Sequence, residues 1–247
     1  MTAGKPFIEL LEVDSTNNYA MAQVQASLAV AGTAWFAHKQ TSGKGQRGKT
    51  WFSKEKENII LSIVIDPAPL TIANQFALSA LCTLACVELI GKYTTTAVKI
   101  KWPNDLFIGD RKAGGILIEN VLQGDQWKFS VVGIGINVNQ IAFSDDVPNA
   151  TSLAAVTGNT FDPPLLARQL CVIFENMWQR IERGGTEEII QEYNQKLFKL
   201  NELVDFKIDN AVLSAKVLGV NFIGELILDT GEEITIPTGQ ISWLLPS

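Results

Sequence analysis

Histidine is nearly missing from this sequence: among 247 residues His38 stands alone. A His-based catalytic triad or a His-rich metal site would have to be built on that one side chain, and no G-x-S-x-G motif accompanies it. His38 lies in the apolar run TAWFAHKQ and reads as a strand residue. Cysteine is also scarce. Cys82, Cys86 and Cys171 form neither a C-x-x-C pair nor an even framework, which excludes a disulfide scaffold. Cys82 and Cys86 sit four apart on an apolar helical pattern and read as core. Long uninterrupted apolar runs are absent too. The most apolar segment, FALSALCTLACVELI (76–90), carries Ser, Thr and Glu and falls short of a membrane span, and the start MTAGKPFIELLEVDS has no signal-peptide core. Excess positive charge is lacking, with a net charge of −6 and a pI near 4.9, so the broad basic footprint of a nucleic-acid binder is missing. These absences lead to the expectation of a reduced, cytoplasmic protein without a membrane or nucleic-acid partner. What is present is an apolar fraction of 47%, sufficient for a sizeable core in one large domain or a large and a small one.

The pattern of that apolar fraction sets out the elements. FIELLEV (7–13), TAWFAHK (33–39), IILSIVI (59–65) and VKIKW (98–102) read as strands, and 114–139 reads as two long strands joined at Gly124-Asp125. Residues 14–28 read as a helix capped near Ser15 or Thr16, and 71–93 as a buried helix, apolar nearly all round. Helices follow over 149–157, over 162–183 with Pro163 and Pro164 at its start, and over 185–198. From about Leu200 short alternating strands with Gly or Asn turns take over. The reading is an α+β fold: a mixed sheet with packed helices over residues 1–198, then a small β-barrel of about five strands over 199–247.

Glycine is where the chemistry concentrates. Gly43-Lys44-Gly45-Gln46-Arg47-Gly48-Lys49-Thr50 matches the phosphate-binding pattern G-x-x-x-x-G-K-[ST] in full. That loop works only if a helix begins at the Lys-Thr pair. Here WFSKEKEN follows, without an apolar face, and only about eight residues separate the loop from the next strand, against roughly 10–12 for a helical crossover. The NTPase reading is therefore set aside. The loop still offers close-approaching backbone N–H groups, the cations Lys44, Arg47 and Lys49, and the indole of Trp51. A solvated basic hairpin would look the same, but two other segments point elsewhere. KIKWPNDLF (99–107) puts Lys101 at a strand end, and KAGGILIENV with VVGIGINVN puts glycines inside apolar strands, where they weaken a sheet unless something must approach the backbone. Bulges or helix packing would also explain those glycines. Taken together, the three segments outline an apolar pocket with a cationic rim, suited to an apolar molecule with a carboxylate tail beside a nucleotide.

Ser15-Thr16-Asn17, QTSGKGQRGKTW (40–51), KWPND (101–105), KAGGILIE (112–119) and GIGINVN (133–139), in this order, resemble biotin–protein ligase, also called biotin–[acetyl-CoA-carboxylase] ligase. The resemblance covers residues 7 to about 140 and implies a class II synthetase-like catalytic domain followed by an SH3-like barrel. It implies an enzyme that binds biotin and MgATP, forms biotinyl-5′-AMP with release of pyrophosphate, and passes biotin to one lysine of a biotin carboxyl carrier protein. By resemblance Ser15, Thr16, Asn17 and Gln40 would bind the polar head of biotin. Gly43, Lys44, Gly45 and Gln46 would line the intermediate. Lys101 would be catalytic, touching the biotin carboxylate and the α-phosphate. Gly115 and Ile116 would form the floor, with Gly133 and Gly135 close by, and Arg47, Lys49, Trp51, Asn104 and Asn137 would serve the nucleotide. No protein side chain is assigned to the metal. The family loop often reads G-R-G-R-x-G-R-x-W; here Lys44 and Lys49 keep the charge without the planar fork of Arg, and Gln46 is neutral. With a strand starting by residue 7, no room is expected for the N-terminal winged-helix domain of the family's larger members. A homodimer stays open. A lipoate–protein ligase-like enzyme and a non-catalytic biotin- or nucleotide-sensing module are the rival readings.

Overall fold

Strand alternation assigns every side chain of a sheet to one of two faces, and in this molecule the two faces have opposite chemistry. The computed structural model describes residues 1–144, 147, 149–209 and 211–245. In chain order the elements are β1 (Phe7–Leu10), α1 (Thr16–Gln25), β2 (Ala34–Ala37), β3 (Asn58–Ile65), α2 (Phe76–Gly91), β4 (Val98–Lys101), β5 (Asp105–Ile108), β6 (Arg111–Gln123), β7 (Gln126–Asn137), α3 (Leu153–Thr157), α4 (Pro163–Glu182), α5 (Thr186–Gln195), β8 (Leu203–Ile208), β9 (Ala211–Val220), β10 (Leu226–Asp229), β11 (Glu233–Ile236) and β12 (Ser242–Leu244). Seven strands form one mixed sheet in the order β1-β2-β3-β7-β6-β5-β4, with only β1 and β2 parallel, and β8 to β12 form a second, antiparallel sheet. This second sheet stands where the small C-terminal β unit was expected. The turn expected at Asn210 lies outside the described residues.

One face of the large sheet is the core. Ile59, Leu61, Ile63 and Ile65 of β3, Val132, Ile134 and Ile136 of β7, and Ile116 of β6 pack with α2 and α4. The 71–93 pattern is apolar all round because α2 is buried all round, with only Glu88 and the terminal Gly91 exposed. The segment starts as a 3-10 turn at Ile72–Asn74, closed by reciprocal bonds between Thr71 and Asn74. Helix α4 is amphipathic, with Leu166, Leu170, Phe174, Met177, Trp178 and Ile181 inward, and Asp162 caps it by accepting from Leu165 N–H at 3.1 Å. The core does not stop at the large sheet: Val204, Phe206, Ala215, Val217, Leu226 and Leu228 of the second sheet belong to the same buried cluster. Trp102 joins the two, its indole N–H donating to Gly224 O at 2.9 Å.

The other face is only partly covered. Ala20 and Val24 of α1 pack on Trp35, Val64 and Val131, a small separate cluster. Beyond α1 the face is left to the glycine-rich loop.

Candidate active site

Antiparallel partners project to the same side of a sheet, so the register identifies the site face residue by residue. Ile60 of β3 opposes Gly135 of β7, Gly135 opposes Gly115 of β6, Gly115 opposes Asp105 of β5, and Asp105 opposes Lys101 of β4. One row across five strands thus runs from an apolar side chain over two bare glycines to a carboxylate and an ammonium. The adjacent row is Ser62–Gly133–Leu117. Sequence reasoning asked what comes close to these glycines, and the structure gives two side chains. A Cβ on Gly133 would lie 2.8 Å from Asn17 Cγ, and one on Gly135 would lie 2.6 Å from Cε2 of the Trp51 indole.

At the end under α1 a buried polar network forms. Ser15 caps the helix, and Ser15, Thr16 and Asn17 are all buried. Thr16 N–H donates to Gln40 Oε1 at 2.8 Å. Asn17 Nδ2 donates to Glu119 Oε2 at 2.8 Å and to Leu117 O at 3.3 Å. Ser62 Oγ lies 2.6 Å from Asn17 Oδ1 and 2.8 Å from Thr16 Oγ1. The amide oxygen can only accept, so Ser62 donates to Asn17, while the single Thr16 hydroxyl proton is available to Gln40 Oε1 at 3.3 Å or to Ser62 Oγ. Gln40 Nε2 retains its donor capacity. Ser62 and Glu119 had no role in the sequence reading. The available signal for Ser62 was the one hydroxyl in a fully buried strand whose other residues after Asn58 are apolar.

The loop over this face is a hairpin. Trp51 N–H donates to Gly43 O at 2.9 Å and Gly45 N–H to Lys49 O at 2.7 Å, with a tight turn at Gln46–Gly48. No helix starts at Thr50, and β2 and β3 are antiparallel, so the phosphate-loop geometry is absent as expected. Thr41 to Gly45 and Arg47 to Thr50 of the hairpin, with Leu117 and Glu119, line a cleft of about 620 Å³. Lys44 Nζ stands 3.8 Å from Glu119 Oε1, so that carboxylate spans the loop and Asn17. Lys49 is exposed, and Arg47 lines the cleft while its NH1 donates to Gly239 O at 3.2 Å. The Trp51 indole N–H is buried with no hydrogen-bond partner among the described residues. An unmade bond of that kind costs roughly 1–3 kcal/mol, and an acceptor placed over Gly135 would recover it.

Lys101 lies half-buried at the far end of the row. Burial lowers its pKa below the ordinary lysine value; Asp105 opposes that shift, while Lys112 and Lys49 add to it. Asp105 is also engaged by Lys112 Nζ at 2.6 Å. The structure therefore brings Ser15, Thr16, Asn17, Gln40, Gly43, Lys44, Gly45, Arg47, Lys49, Trp51, Gly115, Gly133, Gly135 and Lys101 to one face, with Gln46 in the turn at the hairpin tip. One residue is placed differently. The Ile116 side chain opposes Ile134 and points into the core. Asn137 shares the face of Gly133 and Gly135, its Nδ2 donating to Thr151 O at 3.0 Å, and Asn104 Nδ2 donates to Ile116 O at 2.6 Å, so each amide keeps its oxygen and a second N–H. Among the described residues there is no group of three or more His, Cys, Asp or Glu side chains arranged for a metal, and no helix is long and apolar enough to cross a membrane.

Comparison with known proteins gives a consistent result. The family described as "Biotin/lipoate A/B protein ligase family" matches residues 10–137. A bifunctional ligase/repressor BirA of Bacillus spizizenii is 32% identical over 83% of this chain and 64% of its own length. A biotin–[acetyl-CoA-carboxylase] ligase of Paracoccus denitrificans is 28% identical over 94% of this chain and 98% of its own. A solved biotin protein ligase of Aquifex aeolicus, in complex with biotin and ATP, superposes with a TM-score of 0.82 at 26% identity and covers 97% of this chain and 99% of that one. The chain spans just under two thirds of the length of the first two BirA relatives it matches.

Proposed function

Because the chain belongs to the biotin/lipoate A/B protein ligase family, we propose that it activates biotin with ATP to biotinyl-5′-AMP, releasing pyrophosphate, and transfers biotin to a lysine of a biotin carboxyl carrier protein. The observation that carries the reading is the row Ile60–Gly135–Gly115–Asp105–Lys101, a flat floor of backbone ending in one ammonium. Gly133 and Gly135 let the Asn17 amide and the Trp51 indole sit close on the sheet, and Gly115 leaves backbone bare for an apolar bicyclic ring. The Ser15–Asn17, Gln40 and Ser62 network supplies donors and acceptors for a ureido group, which itself carries both. Residues 1–198 hold this chemistry, and 199–247 close it from the far side.

The first step brings a carboxylate to a triphosphate, and the two repel. Lys101, with Lys44 and Lys49 of the hairpin, offsets that repulsion, and does so more strongly once the hairpin excludes water. No enzyme nucleophile is needed, in keeping with the lack of a triad. Mg²⁺, when bound, neutralises phosphate charge. With no carboxylate cluster among the described residues, the ion would arrive on the triphosphate and keep most of its waters, as Mg²⁺ commonly does. In the second step an amine attacks the acyl phosphate, and the enzyme's part is to position the partners and exclude water. The acceptor is a protein lysine, in the cytoplasm; the acidic surface charge disfavours nucleic acid.

The test is incubation with biotin, MgATP and a biotin carboxyl carrier domain. One lysine should gain the mass of biotin, and pyrophosphate should appear only with biotin present. Labelling by lipoate in preference to biotin would move the assignment to the other branch of the family; phosphate release without any acid would end it.

A further inference from the structure

The aromatic contacts of Lys101 come from two separate parts of the chain. Its Nζ stands 5.7 Å from the ring centre of Phe107 on β5 and 5.9 Å from that of Trp243 on β12, the last strand of the second sheet. Trp243 is itself wedged by Phe206 at 4.9 Å and Phe198 at 6.2 Å between ring centres. Phe198 in turn meets Phe107 at 4.9 Å, so the two rings that face the ammonium are themselves joined into one aromatic cluster. The Trp243 indole N–H is buried and has no partner among the described residues, so no hydrogen bond accounts for the ring's placement there. The same sheet reaches the site at a second point. Gly239, with φ +107, accepts from Arg47 NH1 at the hairpin tip, and a Cβ there would lie 2.8 Å from the guanidinium carbon.

We propose that the C-terminal sheet is a working wall of the adenylation site, with Trp243 as a positioning residue that holds the Lys101 ammonium over the end of the glycine floor. The inference rests on the ligase reading for its kinetic consequence, but the contact itself can be read independently. A ring face attracts a cation where water is scarce, and lysine has four freely rotating bonds that must be stilled for its charge to stay aimed. Asp105 is shared with Lys112 and cannot fix Lys101 alone. Arg47 and Gly239 serve the same wall by docking the hairpin tip against it.

The experiment compares the full chain with Trp243→Phe and Trp243→Leu. Leucine fills much of the space without a π-face, whereas phenylalanine keeps one. Thermal unfolding of each variant establishes that the second sheet is intact. In lysine-¹³C-labelled protein, the Lys101 side-chain resonances, assigned by their loss in Lys101→Arg, should show an upfield ring-current shift that persists in Trp243→Phe and shrinks in Trp243→Leu. The kcat of biotin-dependent pyrophosphate exchange should fall about tenfold in Trp243→Leu and stay within about twofold in Trp243→Phe, the range a partly desolvated cation–π contact supports, with KM for biotin little changed. An unchanged Lys101 shift in Trp243→Leu overturns the proposal whatever the kinetics. Equal kcat losses in folded Phe and Leu variants also overturn it, since packing alone would then explain them. A present contact in a wild-type protein that shows no biotin-dependent exchange faults the ligase reading and not the contact.

Discussion

At the scale of single residues the site is defined as much by missing side chains as by present ones. Gly133→Ala would push a methyl into the Asn17 amide, which is held on both sides by Ser62 and Glu119 and cannot step back without breaking a buried bond. Overpacking of that kind costs about 1–3 kcal/mol. The variant should unfold at lower temperature and lose most of its biotin affinity, measurable by calorimetry. Lys101→Ala should keep the fold and slow adenylate formation at least a hundredfold, a loss of about 2.7 kcal/mol of transition-state stabilisation; near-normal pyrophosphate release would exclude its assigned role. Its titration has a definite sign. Burial disfavours the charged form, so the ammonium is lost at lower pH than that of an exposed lysine. The alkaline limb of kcat/KM should therefore lie below the ordinary lysine value near 10.4. It should move upward in Lys49→Ala, where a like charge is removed, and disappear in Lys101→Arg.

At the scale of elements the hairpin 43–51 is the part most exposed to change. Its backbone bonds are few, its tip has Arg47 at φ 56 and Gly48 at φ 72, and most of its residues are exposed. Amide exchange across 41–51 should slow at least tenfold on adding biotin and MgATP; unchanged exchange would mean that it is not a lid. Much at this scale was legible. Helix α2, the β6–β7 hairpin and the capped α1 each follow from a period and a punctuation mark in the sequence. Strand β5 was not legible, because DLFI is four residues straight after a Pro-Asn-Asp turn. Ile116 was misplaced because it was read beside Gly115 as one floor, whereas adjacent strand residues face opposite ways. Ser62 and Trp243 acquire their roles from partners 45 and 142 residues away (62 − 17 and 243 − 101), and no local pattern encodes those meetings.

At the scale of the whole molecule the two sheets share one core. Trp102, Phe76 and Ile100 are buried in the cluster that also holds Phe206, Val217 and Leu226. Cutting the chain after residue 198 would expose several such side chains, each worth roughly 1.5–3 kcal/mol. Against a typical total of about 5–15 kcal/mol, the fragment 1–198 should melt far below the full chain or fail to fold. A fragment with an unchanged melting temperature would show the two sheets to be energetically independent.

The alternation of Gly133, Ile134, Gly135 and Ile136 carries one more implication. Because odd positions face the candidate site and even positions the interior, inserting one residue ahead of Gly133 would swap them, setting branched hydrocarbon on the site face and leaving holes beneath α2. Inserting two residues would restore the parity. On this strand the bare floor and the packed interior are thus set by the same register.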